Sequence, residues 1–324
     1  MFVGDYAQLS IHRLMVSDRV RTEAYRKALR SAVEPGDVVL DVGAGTGIMG
    51  MLAVQAGASK VYAVEPTGIA GLARQLIERN GMADRIELIE SAVESVELPE
   101  RVDAVVGEWM GCYGVDENLL APMVVARDRW LKPGGAVLPE VVTAWLAPVE
   151  DDELAEDIGS WRARPYDLDF GPLAEASANE VRMGHDESTR DALVAAPQEL
   201  WTTDVRTITL EEARGPFEAE VRFSAGRKGG FSTLAAWFVA RFGDGSTLTN
   251  APDAPDAPET HWGRSAFPLN AAIEVEPDVP IEVQLACEPA GPGHCHHRWA
   301  VKVGAGEWER HDTRWDPTLP REGR

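Results

Sequence analysis

Glycine stands at every second position of Gly43-Ala44-Gly45-Thr46-Gly47, directly after the apolar run Val38-Val39-Leu40-Asp41-Val42. Glycine tolerates positive φ and has no side chain to keep a ligand at a distance, so a strand ending in such a turn is suited to cradling a cofactor. Glu65 closes the next apolar run. It lies roughly 20 residues on, where a doubly wound fold puts the carboxylate that binds ribose hydroxyls, and these features together point to a nucleoside cofactor. A second constellation is Gly107-Glu108-Trp109-Met110-Gly111-Cys112-Tyr113-Gly114-Val115-Asp116-Glu117, after a further apolar run. In an open α/β sheet, ligands bind beyond the carboxyl ends of the strands, so Glu108 and Glu117 are expected to face the site from the two ends of one loop. A guanidinium is a planar, permanently charged fork of donors, and two carboxylates can take it by bidentate hydrogen bonds.

The dinucleotide fingerprint G-x-G-x-x-G asks for glycine or alanine at position 48, where Ile48 stands. The observed G-x-G-x-G after Asp41 is typical of methyltransferases that use S-adenosylmethionine (SAM) and release S-adenosylhomocysteine, so SAM and not a nicotinamide is the expected cofactor. His294-Cys295-His296-His297 has the composition of a metal cluster. Adjacent strand residues point to opposite faces, however, and no second Cys or His group stands at zinc-ligand spacing, so the run reads as a surface strand end and no metal is expected. Cys112 has no evident base beside it and reads as a packing residue. Trp109 and Trp262 are expected to wall the pocket, with Trp201, Trp237 and Trp299 in the core.

Short apolar runs at Val38–Val42, Val61–Val64, Ile86–Ile89, Val102–Val106 and Ala136–Leu138 alternate with helical stretches. Strands buried on both faces and separated by helices imply a parallel, doubly wound sheet. Before it, Val20, Ala24, Tyr25, Ala28 and Leu29 recur at helical spacing. A helix from about Asn118 to Trp130 is expected to stop at Lys132-Pro133-Gly134-Gly135. Beyond Pro139 the apolar residues alternate with period two in Ala219-Val221-Phe223, Ile273-Val275, Ile281-Val283-Leu285 and Val301-Val303, the signature of antiparallel sheet with one wet face. The segment from about 151 to 197, with an aromatic island at Trp161, Tyr166 and Phe170, reads as a helical excursion. The Ala-Pro-Asp pattern from Ala251 reads as an extended loop that delivers Thr260-His261-Trp262.

The chain has 324 residues, room for roughly two domains, and its 31 basic against 53 acidic side chains leave a formal net charge of −22. Such a surface repels phosphate backbones and attracts cations, so the expected partner is cationic and not nucleic acid. No apolar run reaches the length of a bilayer span, and three scattered cysteines make no disulfide framework, which fits a soluble, cytoplasmic protein.

The double-glutamate segment resembles that of the protein arginine methyltransferase family, and the likeness extends along most of the chain. Upstream, Tyr6-Ala7, Ile11-His12, Met15, Asp18 and Val20-Arg21-Thr22 to Tyr25 are similar to the family's amino-terminal helical segment. Downstream, Ala126-Arg127-Asp128, Leu131-Lys132-Pro133-Gly134-Gly135, Pro139 and Thr260-His261-Trp262 continue the match. The resemblance implies a helical segment over about 1–30 closing over the cofactor and a Rossmann-like SAM domain over 31–140. A β-barrel-like domain would follow over 141–324, with an inserted dimerisation arm at about 151–197 that builds a homodimer. It also implies roles. Arg21 would bind the SAM carboxylate, Glu65 the ribose, and Val93-Glu94 the adenine, with Asp41, Gly43, Gly45 and Gly47 also among the cofactor contacts. Glu108 and Glu117 would hold a guanidinium, Met15 would pack by the methyl, Asp18 and His261 would relay the proton, and Tyr6, Trp109, Met110 and Trp262 would line the substrate site.

The chain departs from the family pattern where Phe2 precedes Tyr6 in the usual double-tyrosine motif, where Gly114-Val115-Asp116 replaces aromatic residues, and at Leu119, usually methionine. These changes rim the substrate pocket and leave the guanidinium clamp alone. The expected reaction is therefore arginine N-methylation giving the ω-monomethyl or asymmetric dimethyl product, with a lean toward free arginine or a small guanidino compound over a basic protein.

Overall fold

The computed structural model describes residues 8–185, 189–254, 260–291 and 293–315. Tyr6 and residues 255–259 of the proline-rich loop lie outside them. The described chain begins with two helices, α1 (Leu9–Ser17) and α2 (Arg19–Ala32), which meet at Asp18. The Asp18 side chain accepts from the N–H of Arg21 at 2.8 Å and so caps α2, supplying one of the partners a helix start lacks. Arg21, Tyr25, Ala28 and Leu29 form the buried stripe of α2 at three- and four-residue spacing.

Five parallel strands follow: β1 (Val38–Val42), β2 (Lys60–Val64), β3 (Ile86–Ile89), β4 (Val102–Gly107) and β5 (Leu131–Leu138), in the order β3-β2-β1-β4-β5. They alternate with α3 (Ile48–Ala56), α4 (Ala70–Arg79) and α5 (Leu120–Trp130). Every residue of β1 is buried, as expected of a strand covered on both faces. The strand order reverses between β1 and β4, so the glycine turn after β1 and the glutamate loop after β4 open into one crevice. Lys132-Pro133-Gly134-Gly135, expected only as a helix stop, is part of β5.

The second half is antiparallel. One sheet runs β7 (Arg182–His185), β12 (Arg264–Val275), β10 (Gly229–Arg241), β6 (Val141–Val149) and β8 (Gln198–Asp204), with β11 (Thr247–Thr249) on β10. The other runs β15 (Glu309–Asp312), β14 (His294–Val303), β13 (Pro280–Gly291) and β9 (Phe217–Ser224), and the two make a barrel-like body. The excursion contains α6 (Asp152–Ser160) and α7 (Gly171–Ala178), but it is not wholly helical, since β7 pairs with the edge of β12. Four residues with a mid-strand glycine carry no alternation from which to read a strand. Leu154, Ile158 and Ala178 of this excursion cluster with Ala266 of β12 and fasten it to the barrel. Among the described residues no helix is long and apolar enough to cross a membrane.

Candidate active site

The glutamate loop is anchored where β4 ends. Tyr25, fully buried in α2, donates its hydroxyl to the Gly107 carbonyl at 3.2 Å. Glu108 then turns back, one oxygen accepting the N–H of Met110 at 3.1 Å and the other lying 3.3 Å from the Arg21 guanidinium. Glu117, at the far end of the loop, lines the same cavity of about 730 Å³ as Glu108. Between them, Asp116 accepts the N–H groups of Cys112 and Tyr113 at 2.9 and 3.0 Å, which ties the loop to itself. Asp116 is only 3% exposed, and burial pushes its carboxyl up to about 6 against those backbone hydrogen bonds. Sequence reading noted Asp116 as a departure, but it is the tertiary structure that shows its carboxyl as the loop's internal tie.

Across the cavity the Thr260-His261-Trp262 loop is held by α2. Asp18 Oδ2 accepts both the backbone N–H of His261 at 3.0 Å and its Nδ1 at 2.8 Å. Burial pushes the Asp18 carboxyl up, yet the hydrogen bonds from His261 and Arg21 together outweigh it and hold it below its ordinary value. An ionised carboxylate can only accept, so a neutral His261 keeps its proton on Nδ1 and a lone pair on Nε2. Trp262 donates its indole N–H to the Met110 carbonyl at 2.8 Å and sets its ring edge against Phe238, which joins the histidine loop to the glutamate loop.

Behind this cavity, Gly43, Gly45 and Gly47 take φ of 68°, 55° and 79°, the left-handed region that explains why glycine recurs there. Glu65 accepts the N–H groups of Gly45 and Thr67, each at 2.8 Å, and so stands at the open turn. Asp41, expected among the cofactor contacts, is 1% exposed and accepts from Gly50 N at 2.8 Å, so it lies beneath the turn and secures the start of α3. Val93 is buried and Glu94 exposed on a 3-10 turn after β3, whose position is fixed by Arg129 donating to the Glu94 carbonyl at 2.8 Å.

These residues fit an amino-acid-bearing nucleoside. Arg21 is 3% exposed and its buried Nε has no hydrogen-bond partner, a vacancy that a carboxylate would satisfy. A Cβ on Gly43 would meet nothing within 4 Å, which leaves that side of the turn open. An arginine to donate to a carboxylate and a glutamate to accept from ribose hydroxyls fit the amino-acid and ribose parts of SAM.

Met15, Met110, Glu108, Glu117, His261 and Trp262 all line the one cavity. Trp109 does not. It is 2% exposed and belongs to the main core, while its neighbours Glu108 and Met110 face the cavity. The His294–His297 run is not a surface end either, since Cys295 and His297 are buried and, with His294, line the cavity. The alternation of β14 puts these two residues inside, and burial pushes the His297 imidazole down to about 4, leaving it neutral. Asn250 was missed altogether. It is an isolated polar residue beyond a short strand, with no motif to flag it.

Two of these buried carboxyls set a pH dependence. Burial, with Glu65 nearby, pushes Asp41 up to about 7, and Asp116 stands at about 6. A carboxyl whose folded pKa exceeds its unfolded one binds more protons when folded, so stability rises as pH falls through the folded values. Asp18 and Asp151 are held low and lose their contribution only in more acid solution. His294 and His297, held below their ordinary range, pull the other way, but the two raised carboxyls outweigh them, so the melting temperature is expected to be higher near pH 6 than near pH 8, and Asp41→Asn should shrink or reverse the difference. Calorimetry showing stability that climbs with pH over this window would contradict the assignment.

A parallel sheet with a glycine turn at its switch point, a carboxylate standing at that turn, two glutamates lining one cavity and a histidine hydrogen-bonded to a buried aspartate make up the geometry of a nucleoside-cofactor group transferase with a cation-binding acceptor site. Residues 140–301 match the model of the arginine methyltransferase oligomerization subdomain, and residues 3–128 that of the TRM5/TYW2 methyltransferase domain. The chain is 34% identical over 310 residues to protein arginine N-methyltransferase 6 of Xenopus laevis, covering 93% of this chain and 91% of that one. It belongs to the protein arginine N-methyltransferase family, and so is a SAM-dependent arginine methyltransferase by family. Danio rerio protein arginine N-methyltransferase 6 is likewise 34% identical over 96% of this chain and 91% of its own. Among solved structures, the Trypanosoma brucei PRMT1 enzyme-prozyme heterotetrameric complex with AdoHcy matches with a TM-score of 0.85 at 26% identity, over 96% of this chain and 100% of that one. Arabidopsis thaliana protein arginine methyltransferase 10 matches with a TM-score of 0.82 at 28% identity, over 95% and 99%.

Proposed function

We propose that this enzyme methylates arginine residues of basic proteins, and that Glu108 and Glu117 receive the guanidinium at one end of the cavity. The observation that carries the protein acceptor is the cavity itself. At about 730 Å³ it continues past the glutamates between the excursion and the barrel, far more room than a guanidinium needs. The relatives are named as protein arginine methyltransferases, which supports the same acceptor over the free arginine toward which the sequence leaned.

SAM, when bound, supplies a methyl group activated on a sulfonium. The chain's own residues do the rest. Two carboxylates draw the positive charge of the guanidinium toward the nitrogens they hold, which leaves the remaining one more nucleophilic and aligned for attack. Arg21 offsets part of the Glu108 charge and fixes its direction. Nε2 of His261, backed by the Asp18 carboxylate, takes the proton that the methylated nitrogen gives up. Incubation with SAM and an arginine-glycine-rich peptide, followed by mass spectrometry and chromatography, is expected to give ω-monomethyl or asymmetric dimethyl arginine. Faster turnover of free arginine, or a symmetric product, would overturn this reading.

The acting form is proposed to be a homodimer. The excursion exposes Tyr166 at 92%, Leu168 at 58% and Leu173 at 44%, and α4 exposes Leu72 and Leu76, an apolar area that a second copy would cover. Leu168→Asp with Leu173→Asp is expected to give monomers by light scattering, and a dimer that persists would count against the arm. The three free, buried cysteines support a reducing, cytoplasmic setting.

A further inference from the structure

Asn250 follows β11, is 0% exposed and has every polar atom of its amide engaged. Its Oδ1 accepts the N–H of Phe238 on β10 at 3.0 Å, while Nδ2 donates to the carbonyl of Cys112 at 2.7 Å and to the carbonyl of Gly263. One partner is an N–H and two are carbonyls, so a single orientation of the amide satisfies all three. Cys112 belongs to the glutamate loop, and Gly263 directly follows His261-Trp262. One side chain thus ties together the loop that holds the guanidinium, the loop that carries the proton acceptor, and the long strand between the two halves of the barrel sheet. Two further bonds join the loops to each other, Cys112 Sγ to the Trp262 carbonyl at 3.0 Å and Trp262 Nε1 to the Met110 carbonyl at 2.8 Å. Trp262 packs on Phe238 and β12 pairs with β10 directly after the histidine loop, but it is Asn250 that hydrogen-bonds β10 and both loops at once.

We propose that Asn250 is a positioning residue for methyl transfer, setting the separation of the Glu108–Glu117 pair from His261. A displacement of about 1 Å between reacting groups can cost on the order of 10²-fold in rate, so a residue outside the cavity can govern turnover through this one spacing. The inference rests on the arginine-methylation reading, and it is measured on whichever acceptor, peptide or free arginine, the unmodified protein methylates. An acceptor result that overturns that reading therefore leaves this test intact.

Asn250→Asp keeps the shape and the acceptor but replaces both donors with an oxygen facing two carbonyls. Its kcat is expected to fall on the order of 10- to 10²-fold, with SAM affinity by calorimetry within about twofold of the unmodified protein. Hydrogen exchange should quicken in residues 108–117 and 260–263 and stay slow in β1 and β4. Asn250→Ser, smaller and uncharged, carries the same measurements should the aspartate variant not fold. Turnover within about threefold of the unmodified protein would overturn the proposal. So would a loss of turnover matched by an equal loss of SAM affinity with exchange quickened throughout the parallel sheet, since that is what a merely structural residue would show.

Discussion

Glu117→Gln is expected to reduce methylation by on the order of 10²–10⁴ while SAM affinity stays close to that of the unmodified protein. The substitution keeps the size and hydrogen-bonding reach of the side chain and removes its charge. Breaking one partner of a buried charge pair costs roughly 3–5 kcal/mol, and here that cost falls on the guanidinium and on the charge it carries in the transition state. The matching substitution at Glu108 should behave differently. Glu108 lies 3.3 Å from Arg21, so Glu108→Gln also leaves a buried arginine without its carboxylate and should disturb the cofactor side as well. The sequence alone made the two glutamates equivalent. Steady-state kinetics with calorimetry separates them, and a Glu117→Gln enzyme retaining half its rate would remove the glutamate from its assigned role.

Arg21→Met is expected to weaken SAM binding by on the order of 10²–10⁴-fold, the equivalent of the roughly 3–5 kcal/mol that follows from leaving a buried carboxylate unpaired. Methionine preserves the apolar stem packed in α2, so loss of fold is not the cause. The effect has two parts: the ligand carboxylate loses its cation, and Glu108 loses the neighbour that holds it in place. Acceptor turnover at saturating SAM should therefore fall too. Calorimetry giving a Kd within about threefold of the unmodified protein would show that the buried, unpartnered Nε faces no ligand carboxylate.

Much of the first half was legible because its rules are local. The apolar runs Val38–Val42 and Ile86–Ile89 coincide with β1 and β3 residue for residue, and the buried stripe of α2 contains Tyr25, Ala28 and Leu29 as the spacing implied. In the second half, the period-two runs lie in β9, β12, β13 and β14. β10 escaped because it is central in its sheet and buried on both faces from Gly230 to Phe238, which erases the alternation that marks a strand with one wet face. A different loss hid the burial of His297: β14 does alternate between faces there, but a run of four polar or sulfur side chains gives no hint of which face meets the core.

By itself the sequence determined the parallel sheet, the glycine turn with Glu65 beyond it, and the placing of Glu108 and Glu117 at the two ends of one loop, all set by neighbours within a few residues or by one strand–helix unit. The tertiary structure alone decided what lies across from them. Asp18 meets His261 across 243 positions and Asn250 meets Cys112 across 138. The family resemblance could name Asp18 and His261 as a pair, but no periodicity or spacing rule could, and nothing at all named Asn250. A buried hydrogen bond between distant segments depends on the packing that brings them together, and local chemistry carries no record of that packing.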